Sequence, residues 1–85
     1  MFYVYILKSL KDGNIYTGYT SNIKLRHEEH KNGLVKSTKF RRPIKLVYFE
    51  AYLDKVDAEE REKYLKAGGK AKNDLKLQIK NSLGP

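Results

Sequence analysis

The chain has 85 residues, with 18 Lys and Arg against 10 Asp and Glu, a formal net charge of +8, and no cysteine. That length has room for one modest core, and so large an excess of cations makes a polyanion, nucleic acid first, the expected partner class. The lack of cysteine excludes a disulfide framework and a thiolate metal site and agrees with a cytoplasmic location, while no stretch approaches the ~18 apolar residues of a membrane span.

Phe2 to Leu7 and Ile15 to Thr20 are rich in Val, Ile, Tyr and Thr and are joined by Lys11-Asp12-Gly13-Asn14. Asp12-Gly13 tolerates the positive φ of a tight connection, so the pair is predicted as a β-hairpin. Met1 to Leu7 has no basic region before it and no small-residue cleavage site after it, and is therefore a strand rather than a signal peptide. Tyr3, Tyr5, Tyr16 and Tyr19 crowd into this hairpin. Period-two alternation sets Tyr3 with Tyr5 on one face, and Tyr16 with Gly18 on one face of the second strand. A glycine inside a strand often marks a close approach by a backbone or ligand. Tyr16-Thr17-Gly18 therefore reads as one wall of a site; the alternative is that the tyrosines, good strand formers, simply line a core.

Ser21-Asn22 offers N-cap side chains for a short helix, Ile23 to His30, which Asn32-Gly33 stops. Arg26 and His30, four apart, project from one helix face. An arginine presents a fixed cationic fork to phosphate, and a histidine one turn away can move a proton near neutral pH; two solvated residues on a charged helix are the plainer alternative. The loop Leu34 to Pro43 carries Lys36, Lys39, Arg41 and Arg42 among Ser37, Thr38 and Phe40, a mixture suited to a phosphate backbone. After Pro43, the strand Ile44 to Tyr52 contains the apolar run Leu46-Val47-Tyr48-Phe49, which reads as buried on both faces.

Asp54 or Asp57 is placed to cap a helix through Lys66 that ends at Gly68-Gly69. Ala58, Glu62 and Leu65 share its inward stripe at i, i+4, i+7. A carboxylate drawn inward needs a compensating cation, so Glu62 either holds a divalent metal or pairs with Arg61 or another base. Ala71, Leu75, Ile79 and Leu83 then describe an amphipathic closing helix over Lys70 to Leu83, and the row Lys72, Lys76 and Lys80 is either a solvated face or an extension of a nucleic-acid footprint. Gly84-Pro85 is expected to fray.

Tyr3-Val4-Tyr5, then Tyr16-Thr17-Gly18, then Arg26 and His30, then Glu62, resembles in order and spacing the GIY-YIG nuclease superfamily, and is most similar to its small stand-alone bacterial members. The stretches Ser37 to Tyr48 and Arg61 to Lys66 are similar to theirs as well. Tyr3 and Val4 depart from the first signature and Thr17 from the second, but Val4 and Thr17 keep strand character. Tyr19 stands where some relatives have a lysine.

The resemblance implies an α+β domain over residues 1–83 with order β-β-α-β-α-α, a three-stranded antiparallel sheet flanked by helices, and a tail at 84–85. It implies a DNA endonuclease in which Tyr5 and Tyr16 position and deprotonate water, Arg26 holds the scissile phosphate, His30 assists proton transfer, and Glu62 binds one Mg²⁺ or Mn²⁺. Phosphodiester hydrolysis requires an aligned nucleophile, charge neutralisation and a stabilised leaving oxygen, which these residue types supply. A tyrosine with a pKa near 10 needs neighbouring cations to act as a base. Lys36, Lys39, Arg41 and Arg42 are the expected DNA-backbone contacts. Single-stranded DNA, a branched or damaged duplex, or a target delivered by a protein partner are the candidate substrates; a catalytically inactive nucleic-acid binding module is the alternative function.

Overall fold

A computed structural model describes residues 1–84. The elements in order are β1 (Phe2–Ser9), β2 (Ile15–Thr20), α1 (Ile23–Lys31), a single 3-10 turn (Lys39–Arg41), β3 (Ile44–Tyr52), α2 (Lys55–Lys66), α3 (Gly69–Gln78) and α4 (Lys80–Leu83). The sheet is antiparallel throughout, in the order β2-β1-β3. This is the expected α+β architecture, with one difference: the closing helix is interrupted at Ile79, whose φ of −110° and ψ of 23° are not helical. Ile79 stays packed against the main core, and beyond it the Leu83 carbonyl accepts a hydrogen bond from Lys8 Nζ at 2.7 Å. Pro85, expected to fray with Gly84, lies outside the described residues.

The hairpin closes where Asp12-Gly13 predicts. Gly13 has φ +77°, Ser9 N–H donates to Asn14 O at 2.9 Å, and the Asp12 carboxylate accepts from Asn14 N–H at 2.9 Å. The buried Ser9 hydroxyl donates to Arg41 O at 2.7 Å and accepts from Lys11 N–H at 3.2 Å, which ties the hairpin to the basic loop.

The strand buried on both faces is β1, not β3. Val4 and Ile6 pack with Ala58, Leu65 and Leu75 on one face, and Tyr5 and Leu7 pack with Ile44 on the other. Full burial of each aliphatic side chain contributes about 1.5–3 kcal/mol, so the central strand anchors both layers. The apolar run of β3 has another cause. Ile6 pairs with Tyr48 but Leu7 with Leu46, leaving Val47 as a bulge. An extra residue reverses the alternation: Ile44 and Leu46 join the Tyr5 face, whereas Tyr48, Glu50 and Tyr52 are in register with Ile6, Val4 and Phe2 on the face covered by α2. Phe49, opposite Tyr5 in the register, remains 48% exposed on an edge strand.

That phase change builds a latch for α2. The Glu50 carboxylate accepts from Tyr48 OH at 2.6 Å, Tyr52 OH at 2.5 Å, and Arg61 Nε and Nη2 at 2.9 and 3.0 Å. The bidentate guanidinium contact fixes the rotation of α2 as well as its position. Asp54, rather than Asp57, caps the helix, accepting from Val56 N–H at 2.7 Å. Arg61, one of the two partners considered for Glu62, is thereby committed to Glu50.

Candidate active site

The Tyr5 hydroxyl lies at the focus of the site. It is 2.9 Å from His30 Nε2 and accepts a long hydrogen bond, 3.4 Å, from Arg26 Nε. Both partners come from the same face of α1, as their i, i+4 spacing requires, and Asn22 starts that helix by accepting from Leu25 N–H at 3.1 Å. Across the sheet Tyr5 pairs with Gly18. A methyl group at Gly18 would overlap Tyr5 Cζ and its hydroxyl and stand 2.7 Å from Cε1. The glycine is needed because the tyrosine ring crosses over it, a closer reason than the general weakness of glycine in strands.

His30 is buried, and its other nitrogen, Nδ1, is 2.7 Å from the hydroxyl of Thr38, itself 1% exposed. Thr38 is the residue that sequence reasoning missed in this role, having counted its hydroxyl only as a possible phosphate donor. It stands eight positions from His30 at the start of the 3-10 turn, where the backbone reversal turns it inward.

A cleft of about 400 Å³ opens over Tyr5, walled by Tyr16, Gly18, Arg26 and His30, with Glu62 and Lys66 of α2 on its other side. The five catalytic candidates from the sequence, Tyr5, Tyr16, Arg26, His30 and Glu62, therefore share one cavity. They do not share one face of the sheet. Tyr5 and Tyr16 belong to the Leu7 cluster, α2 packs on the Val4 and Ile6 face, and the cavity includes β2 residues of both alternations, so the cleft wraps the β2 edge. Glu62 is paired at 3.1 Å with Lys66, one turn further along α2. The spacing made that lysine available as the other base.

Electrostatics differentiate these groups. Burial raises the Tyr5 pKa above the ordinary 10, with Glu62 adding to the rise and Arg26 and Lys66 opposing it. Burial, helped by the Arg26 charge, lowers His30 to about 4, so the imidazole is neutral at physiological pH. The hydrogen bond with Tyr5 raises Arg26 further.

Lys36, Lys39, Arg41 and Arg42 are exposed on the loop and do not line the cleft, although Ser37 and Thr38 between them do. Arg41 lies 3.8 Å from the Asp12 carboxylate. Arg42 donates to Lys39 O at 3.1 Å and folds over Gly33.

A family model described as the GIY-YIG catalytic domain matches residues 1–76. The chain belongs to the GIY-YIG family. It is 47% identical over 83 residues to a UPF0213 protein of Clostridium perfringens, covering 96% of this chain and 85% of the relative. A UPF0213 protein of Staphylococcus saprophyticus is 46% identical over 76 residues, covering 88% and 90%. The solution NMR structure of the UPF0213 protein BH0048 from Bacillus halodurans superposes with a TM-score of 0.58 at 37% identity, covering 100% of this chain and 89% of that one. GIY-YIG is a nuclease family, and the two signatures are the paired segments around Tyr5 and Gly18.

The donor set suits a hydrated divalent cation. Glu62 supplies the one carboxylate lining the cleft, and no group of three or more His, Cys, Asp or Glu placed to hold a metal occurs among the described residues. Mg²⁺ keeps several waters and commonly takes one or two carboxylates plus substrate phosphates; Lys66 would have to yield the carboxylate to it.

Proposed function

We propose that this protein is a divalent-metal-dependent endonuclease that hydrolyses phosphodiester bonds in DNA, on strands that are single or branched where they are cut, and that residues 1–83 form its cytoplasmic catalytic unit. The observation that supports it best is the Tyr5 hydroxyl, shared between a neutral imidazole and a guanidinium in a cleft also lined by Glu62.

In the proposed reaction, water in the cleft attacks phosphorus as the bond to the leaving oxygen breaks, and that oxygen keeps the electron pair and takes a proton from solvent. Tyr5 receives the water proton, having passed its own to His30 Nε2, with Nδ1–H donating to Thr38. Arg26 neutralises the charge that grows on the non-bridging oxygens, and Tyr16 aligns the water from the opposite strand. The resting pKa values oppose the first transfer, because burial holds the Tyr5 phenol above its ordinary value and the His30 imidazole down at about 4. Cationic charge near Tyr5 must therefore rise when substrate binds. Mg²⁺ or Mn²⁺ on Glu62 would supply such charge and act as a Lewis acid toward the phosphate and leaving oxygens.

The Glu62–Lys66 pair favours one competing reading, an inactive DNA-binding module whose carboxylate is permanently neutralised. Cleavage of labelled single-stranded, branched and duplex DNA with Mg²⁺ or Mn²⁺ separates the two. The parent should cut at least one substrate, whereas Glu62→Ala should lose cutting and retain binding. Binding without cutting by both proteins would favour the module.

A further inference from the structure

Beyond Tyr16 the catalytic cleft continues into a second cavity of about 470 Å³, bounded by the hairpin turn at Gly13 and Asn14 and by α3 and α4. Ile15, Tyr16 and Lys72 belong to the walls of both, so the two form one trough. The charged residues of the second cavity are Lys8, Lys72 and Lys76, with no carboxylate among its lining. They arrive from β1 and α3, far apart in sequence, and none forms an ion pair among the described residues, whereas Lys31, Lys66 and Lys70 each do. Lys8 is held in place by the carbonyl of Leu83. Three ammonium groups around one concavity repel each other, and an anion between them removes that cost. The volume falls within the ~300–1,000 Å³ of small-ligand sites, which admits a nucleotide and not a duplex.

We propose that this cavity binds a backbone phosphate of the strand being cut, adjacent to the scissile phosphate, with Lys72 and Lys76 on its oxygens and Tyr16 between the two positions. The site, which rests on the nuclease assignment above, defines a direction for the strand: from the Arg26 side, over Tyr5, past Tyr16 and out between the hairpin turn and α3. It also accounts for lysines on α3 that the catalytic residues leave unused, and it requires the strand to be unpaired where it leaves the cleft.

Binding of a short single-stranded oligonucleotide, followed by fluorescence anisotropy in EDTA across a salt series, tests the site without depending on turnover. Lys72→Ala/Lys76→Ala should weaken binding roughly ten- to a hundredfold at low salt and reduce the slope of log K against log salt by about 0.7, the value for one phosphate neutralised on a single strand. Lys55→Ala/Lys63→Ala, an equal loss of charge outside both cavities, should change neither by more than about twofold. A neutral methylphosphonate beside the scissile position should weaken parental binding severalfold and leave the double variant unaffected. Equal losses in the two double variants, or a methylphosphonate effect that survives Lys72→Ala/Lys76→Ala, would overturn the site. A parent that cuts DNA while the double variant binds normally refutes this site alone; a parent that neither binds nor cuts refutes the nuclease assignment with it.

Discussion

Gly18→Ala isolates the contact on which the Tyr5 geometry depends. In an ordinary strand, alanine for glycine is stabilising by about 0.5–1 kcal/mol because it restricts the unfolded chain. Gly18 has no positive φ that would make alanine strained. Here the new methyl overlaps the tip of the Tyr5 ring, so either β2 moves outward from its free edge or the ring leaves His30. Overpacking costs about 1–3 kcal/mol, and losing the Tyr5–His30 hydrogen bond adds about 1 kcal/mol. The expected destabilisation of about 2–4 kcal/mol lowers Tm by about 10–25 °C in a domain of this size. Thermal unfolding of a double-mutant cycle is the assay. With Tyr5→Leu in the background the ring tip is absent, and Gly18→Ala should become neutral or mildly stabilising, giving a coupling of about 2–4 kcal/mol. A Gly18→Ala protein at least as stable as the parent, with no coupling to Tyr5, would refute the close approach.

Two further predictions concern residues outside the five catalytic candidates. Thr38→Val removes only the hydroxyl on His30 Nδ1; it should cost about 1–3 kcal/mol by leaving a buried nitrogen unpaired, and slow cleavage about ten- to a hundredfold by loosening the ring, while Thr38→Ser restores both in unfolding and single-turnover measurements. The Glu50 latch has a pH signature. Its hydrogen bonds hold Glu50 below the usual carboxylate range against the opposing effect of burial, so its stabilisation is present above the unfolded pKa and is lost as pH falls through the folded one. Burial, with the Glu50 contact, raises Tyr48 and Tyr52 to about 12, so their contribution is complete below 10 and is lost as pH rises towards 12. Glu50→Gln should lower stability by about 2–3 kcal/mol at neutral pH, discounted for partial exposure, and flatten both flanks of a stability-against-pH curve; unchanged flanks would assign them to other groups.

The locally encoded features were legible in the chain. Asp12-Gly13 closes the hairpin, Asn22 and Asp54 start their helices, and the spacing of Ala58, Glu62 and Leu65 turns Glu62 inward. What was not legible depends on register or on tertiary return of the chain. The bulge at Val47 made a phase change look like a strand buried on both faces. Arg61 meets Glu50, eleven positions away, because that phase change presents Glu50 to α2. Thr38 meets His30 only after the loop reverses. Lys66, by contrast, was readable at i, i+4 from Glu62 and needed only the helix to be drawn out.

The most direct test of the nuclease account is single-turnover cleavage by Tyr5→Phe, which keeps the ring across Gly18 and removes only the oxygen between His30 and Arg26. Cleavage should slow by about a hundredfold or more, with DNA affinity within about threefold of the parent under the same salt. Parental cleavage by Tyr5→Phe would contradict the nuclease account, because the proposed proton path from water to His30 passes through that hydroxyl.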